Sequence, residues 1–292
     1  MADIPALKWL REAGVDEIAG DTPRDFFAES AIAKQAAIDA KSKGSVNAPK
    51  KDVAQRKPIL QSASTSIQSN TTQANSGFMD NSSNYAGLSE TIESARKLAE
   101  AANNLDELRK AVEGFDGCSL KKTANKTVFC DGNPETKVML IGEAPGADED
   151  RQGIPFCGMS GQLLDKVLKS IGLDRESGFY ITNTIFWRPP GNRKPTPEEL
   201  AICKPFLEKH IALVAPKILL LVGATAVQAI LQDNSSMSKL RSKQFKYKND
   251  YMDADTEVMV TYHPSYLMRS PLNKRLAWED MLLFEERIKN LG

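Results

Sequence analysis

The chain has 292 residues, 41% of them apolar, and its 38 basic side chains balance 38 acidic ones. That length holds one or two domains with a sizeable core. Zero net charge excludes a protein that grips duplex DNA through a general positive field, so any nucleic-acid binding must come from a local patch.

In chain order, Ala6, Leu7, Trp9, Leu10, Val15 and Ile18 recur at roughly helical spacing and predict a short helical segment within residues 1–30, ended by Gly20 and Pro23. The segment 6–19 is amphipathic and has no obvious core of its own, which makes it a candidate docking element for a replication or repair protein. The N-terminus has neither the basic nor the apolar region of a signal peptide, and no apolar run reaches membrane-span length. Both point to a cytoplasmic protein without a membrane partner. Residues from about 41 to 87 are rich in Ser, Asn, Gln, Lys and Thr and hold too little apolar surface to offset ordering entropy. A disordered linker is expected over 31–87, so the N-terminal extension as a whole is expected to be mostly disordered.

A helical lead-in follows over 88–113. Ile92, Ala95, Leu98 and Ala102 fall on one face, and a second helix starts at the Asn104–Glu107 capping pair and ends at Gly114. Beyond it, short apolar runs at 138–141, 179–182, 218–222 and 258–261 alternate with helical patterns at 161–171, 197–214, 224–231 and 278–291. Continuous apolar strands of this kind suit a buried parallel sheet covered by helices, an α/β fold. Ligands of such sheets bind beyond the carboxyl ends of the strands, and Gly142, Glu143, Asn183, Gly223 and His263 all follow predicted strands.

The four cysteines (Cys118, Cys130, Cys157, Cys203) include no CxxC pair, which argues against disulfides in a cytoplasmic chain. Of the two histidines, His210 lies inside a predicted helix and reads as a core residue. His263 opens the run His263-Pro264-Ser265-Tyr266-Leu267-Met268-Arg269. There an imidazole is able to donate to a developing anion, Pro264 and Ser265 to shape a tight loop against a phosphate, an exposed Leu267 to fill a gap in a base stack, and Arg269 to hold the DNA backbone. Asn183 offers a donor and an acceptor together, which matches the edge of uracil and mismatches cytosine. Phe156, between Gly153 and Gly158, is a candidate stacking face. Glu143 is placed to orient water or to stabilise a cationic sugar, with backbone N–H groups of Gly142 and Ala144 facing the base oxygen. Arg188 and Arg193, in a proline-rich loop, are candidate phosphate contacts. The basic stretch 239–248 reads as an exposed strand or a DNA-facing edge. No Gly-Lys-Ser/Thr follows Gly142-Glu143-Ala144-Pro145-Gly146, which excludes a nucleoside-triphosphate loop.

Taken together, GEAPGADED, GIPFCGMSGQLLD, YITN, RPPGNRKPTPEE and HPSYLMR, in this order, resemble the family 4 uracil-DNA glycosylases of the uracil-DNA glycosylase superfamily, over about residues 114–292. The resemblance implies a three-layer α/β/α sandwich around a short parallel sheet and hydrolysis of deoxyuridine in DNA as part of base excision repair. It also implies roles: Glu143 in the motif that holds the catalytic water, Phe156 stacked on uracil, Asn183 on its edge, His263 on the uracil anion, and Leu267 as the wedge entering the duplex. Two departures stand out. The family usually holds a 4Fe-4S cluster on four cysteines, whereas this chain has Phe115, Cys118, Trp187 and Cys203 at those positions. The expectation is therefore no cofactor, with two aromatic rings plugging the space and Cys118 and Cys203 as metal ligands only if a cluster is present. The second departure is Arg241-Ser242, where the family tends to have Arg-Gly. The competing reading is a catalytically reduced nucleic-acid-binding or polymerase-accessory module of the same fold.

Overall fold

The computed structural model describes residues 81–241 and 243–291, with side chains from residue 86 onward. The expected N-terminal segment, its docking role at 6–19 and the linker as far as residue 80 lie outside the described residues. The far end of the linker needs correction: helix α1 spans Asn81–Ala101 and so starts before Leu88. Extending a helix already anchored by packing costs far less than starting one, so the polar residues ahead of Leu88 continue the turn. On the expected inner face Ile92, Ala95 and Ala102 turn inward, whereas Leu98 is exposed and Ala99 is buried in its place. Helix α2 (Leu105–Gly114) starts where expected, with Asn104 accepting from the Glu107 amide.

Six strands form one sheet in the order β1-β3-β2-β4-β6-β5. Its middle is parallel: β3 (Tyr180–Asn183), β2 (Val138–Gly142), β4 (Ile218–Val222) and β6 (Thr256–Thr261). The expected all-parallel sheet is corrected at both edges, where β1 (Asp131–Gly132) and β5 (Phe245–Tyr247) run antiparallel. The stretch 239–248 thus ends in an edge strand. Neither edge strand is long enough to show a two-residue period in sequence.

Alternation along the central strands separates two faces. Val138, Leu140, Ile181, Leu220 and Met259 pack with Leu164 and Leu168 of α4 (Met159–Ser170) and with Met281 and Phe284 of α9 (Lys274–Lys289). Met139, Ile141, Tyr180, Leu219, Leu221 and Val260 pack with Leu207 and Ile211 of α5 (Pro197–Val214) and with Val227 and Ile230 of α6 (Ala224–Leu231). This is the three-layer α/β/α arrangement. Between these lie α3 (Ala147–Gln152), α7 (Met237–Leu240) and α8 (Pro264–Arg269), all too short to be read from periodicity. A second core joins α1 and α2 to α5 through Ala95, Leu108, Val112, Phe115, Trp187 and Phe206. No helix among the described residues is long and apolar enough to cross a membrane.

Candidate active site at the carboxyl rim of the sheet

Strand register brings distant motifs to one edge. Gly142 pairs with Asn183, and Val222 with Thr261, so the residues after each strand emerge side by side. Gly142 has to lack a side chain, because a Cβ there would collide with the Phe156 ring and the Asn183 amide oxygen. Gly223 turns the chain at φ 98°, and a Cβ there would come within 2.9 Å of His263 Cβ.

A cavity of about 1050 Å³ opens at this rim. Glu143, Ala144, Phe156, Asn183 and His263 line it, as four of the sequence motifs required. Asn183 is only 1% exposed, yet neither its Nδ2 nor its Oδ1 has a hydrogen-bond partner. A buried amide left unpaired costs roughly 1–3 kcal/mol, so it persists where a ligand is due to satisfy it. The Phe156 and His263 rings stand 5.7 Å apart, tilted by 33°.

Phe156 has φ 53°, a left-handed conformation that costs a bulky residue free energy and that clusters at functional sites. Two groups outside the expected site residues hold it. The Arg175 guanidinium donates to the Pro155 and Phe156 carbonyls, each at 2.9 Å, and is itself fixed by Asp131 and Asp165. The Glu149 carboxylate accepts from the Gly146 amide at 3.0 Å and from the Gly158 amide at 2.8 Å, tying the Glu143 loop to the Phe156 loop. Glu149 stands three residues after Gly146 at the start of α3, a cap-box spacing that was visible in sequence. Nothing local marks Arg175.

His263 caps the N-terminus of α8. Its Nδ1 accepts from the Ser265 amide at 3.2 Å, with Ser265 Oγ at 2.8 Å. Burial pushes the imidazole below its ordinary pKa, so the neutral ring is favoured at neutral pH. With Nδ1 accepting, the proton resides on Nε2. Opposite it, the Glu143 carboxylate accepts a hydrogen bond from Thr225 Oγ1 at 2.5 Å, a partner that sequence reasoning also missed.

The expected DNA-contact residues fare unevenly. HPSYLMR is a short helix rather than a loop, and Ser265 turns to the imidazole. Leu267 is corrected from exposed to buried: it is 4% exposed and packs with Tyr262, Ala277 and Leu163. The exposed side chains of that helix are Tyr266, Met268 and Arg269, of which Tyr266 and Arg269 line the cavity. Arg193 lines it too, although its guanidinium is engaged with both oxygens of Glu199, the residue that boxes the Thr196 cap of α5. Arg188 donates to Asn192 within its own loop and lies off the cavity.

The four positions at which the resemblance leads one to expect cluster ligands, Phe115, Cys118, Trp187 and Cys203, lie together in the second core. Phe115 meets Phe206 edge-on at 5.2 Å, and Trp187 Nε1 donates to Thr127 Oγ1 at 3.0 Å. Beside them Cys118 and Cys203 are buried, and the Cys118 thiol together with burial pushes Cys203 well above its ordinary pKa. Cys130 accepts from Arg109, and Cys157 follows Phe156 in its loop. Two thiols and two aromatic rings do not fit a group that requires four thiolates. Among the described residues no three of His, Cys, Asp and Glu group closely enough to hold a metal ion. His210 is a core residue as expected: it is fully buried, stacked on Phe129 at 4.4 Å and bonded to the Tyr180 hydroxyl at 2.8 Å.

Known proteins agree with this architecture. Residues 129–282 match the family described as the Uracil DNA glycosylase superfamily. The Type-4 uracil-DNA glycosylase of Sulfurisphaera tokodaii is 33% identical over 63% of this chain and 84% of its own. Those of Thermotoga maritima and Pyrobaculum aerophilum are 36% and 33% identical, each over 62% of this chain and 93% of its own. With the family matched over more than half of its length, and with relatives covered almost end to end, the chain belongs to the uracil DNA glycosylase superfamily.

Proposed function

We propose that the protein is a DNA repair glycosylase that hydrolyses the N-glycosidic bond of deoxyuridine in DNA, releasing uracil and leaving an abasic site. The observation that carries this reading is the unpaired, buried amide of Asn183 in a cavity that an aromatic ring and an imidazole also line. A base unstacked from DNA would lie on Phe156 and satisfy that amide with its own donor and acceptor.

As the bond from sugar to base nitrogen breaks, its electron pair moves onto the base and the sugar becomes cationic. The Nε2–H of His263 donates to the base oxygen where that charge gathers, and because the imidazole is neutral and held through Nδ1, it needs no reorganisation. Glu143, steadied by Thr225, faces the sugar, where it orients the attacking water or balances the cation. No step runs through iron or sulfur, and we read Phe115 and Trp187 as the permanent filling of the cluster space. A module that gripped only the DNA backbone would give Asn183 no reason to remain unpaired.

The test is incubation of the full chain with single-stranded and duplex oligonucleotides that carry one deoxyuridine, followed by alkaline cleavage at abasic sites. Strand scission at the uracil, lost in His263→Ala and Asn183→Ala, is expected. An oligonucleotide that is bound but left intact would leave the binding module as the better reading.

A further inference from the structure

One flipped pyrimidine cannot fill the cavity, which stands at the upper end of the range for drug-sized ligands. The ring, the amide and the imidazole gather at its inner end. At its outer end is a second aromatic feature that the mechanism leaves unused. Tyr266 lies three residues past His263 on α8, about 4.5 Å further along the helix axis. One face of its ring is stacked on Tyr262, with centroids 5.2 Å apart and planes 29° apart. Its hydroxyl accepts from Asn273 Nδ2 at 2.9 Å. Tyr262 is in turn buried, with the Arg241 guanidinium 5.9 Å from its ring centroid and that guanidinium anchored on Asp280. Tyr266 itself is 37% exposed and forms part of the cavity wall, as do Arg269 and Asn273.

A tyrosine held by a stack on one side and by a hydrogen bond at its tip, with surface left to solvent, is a preorganised platform. We infer that Tyr266 is a second base subsite, which stacks the unpaired nucleobase directly adjoining the one flipped against Phe156. The ligand is any nucleobase, because stacking uses the π-face common to all of them and not a hydrogen-bonding edge. Three residues of chain separate His263 from Tyr266, and both line the one cavity, so a base on Tyr266 would neighbour the base held by Phe156 and His263. The inference rests on the glycosylase reading for the identity of the strand, and it adds that the enzyme grips an unstacked neighbour as well as the target.

The experiment uses the full chain and single-stranded oligonucleotides carrying a deoxyuridine analogue fluorinated on the sugar so that it resists cleavage. An iodinated pyrimidine is placed next to it on one side, on the other side, or several nucleotides away. Ultraviolet crosslinking and peptide mapping are expected to join the adjoining pyrimidine on one side to Tyr266 and to leave the distant one uncrosslinked. Tyr266→Phe keeps that crosslink and Tyr266→Leu loses it. With cleavable single strands, Tyr266→Leu raises KM roughly tenfold, in line with the loss of one base–aromatic stack, and the effect falls on KM rather than kcat. Crosslinks that map elsewhere from both adjoining positions, or a Tyr266→Leu enzyme with unchanged KM, would overturn the inference. A wild-type protein that crosslinks at Tyr266 but releases no uracil would instead defeat the glycosylase reading and leave the subsite standing.

Discussion

The carboxyl rim of the sheet and the core around Phe115 and Trp187 follow opposite rules. At the rim Asn183 keeps an unpaired amide in the dark, Phe156 adopts a backbone angle that bulky residues avoid, and Gly142 gives up a side chain to let the two meet. In the second core, Phe115 and Trp187 are buried, the indole N–H has Thr127, and two thiols sit side by side. One region forgoes stability to keep groups ready for a ligand. The other fills with apolar bulk two of the positions at which the resemblance leads one to expect cysteine. A strained phenylalanine and an unpaired amide therefore coincide at the rim, while the second core, beside which only His210 Nδ1 is left unpaired among the described residues, gives the α1–α2 hairpin its hold on α5.

That contrast is broken or sharpened most strongly by truncating the aromatic filling. Trp187→Ala is expected to cost about 3–5 kcal/mol in chemical denaturation, since it removes a large buried side chain and leaves a cavity. At the rim the effect moves from stability to rate. His263→Ala is expected to lower single-turnover uracil release by about 10²–10³-fold, the usual cost of losing one preorganised donor. Its melting temperature should fall by only a few degrees, since the lost α8 cap is worth about 0.5–2 kcal/mol. Asn183→Leu belongs with it: activity should vanish while stability holds or rises, because an apolar group of similar shape replaces an unpaired amide.

Leu267→Ala distinguishes two roles for one residue. As the buried side chain of the α8 helix it should cost about 2–5 kcal/mol, whereas an exposed wedge would leave the denaturation midpoint unmoved and affect duplex substrates alone. The smallest effect per step is on pH dependence. Burial, and then the nearby Arg109, holds His210 down to about 3 against an ordinary 6.5. The unfolded chain binds that proton first, so this contribution to stability should be full above about pH 6.5 and be lost progressively as pH falls toward about 3. His210→Phe should flatten the acid limb measured by urea titration at a series of pH values.

The parallel core of the sheet was legible because the runs 138–141 and 218–222 are apolar at every position, as strands covered on both faces must be. The edge strands were not, because two or three residues carry no period. The inner end of the site was legible through side-chain chemistry: an imidazole, an amide, a carboxylate and a ring, each after a strand or between glycines. What escaped was whatever depends on three-dimensional neighbours. Arg175 reaches the Phe156 loop from 19 residues away, and Thr225 meets Glu143 across 82. Leu267 looked exposed because the run around it is mixed, but the helical turn that starts at His263 points it inward. Arg193 looked free for phosphate until Glu199, capping its own helix, took both guanidinium arms.

The most direct measurement is a crystal structure of the protein soaked with free uracil. The account predicts a planar density lying on the Phe156 ring, with its donor–acceptor edge on the Asn183 amide and a carbonyl oxygen within hydrogen-bonding distance of His263 Nε2. Uracil bound elsewhere on the surface, with the Asn183 amide still unpaired at saturating ligand, would contradict it.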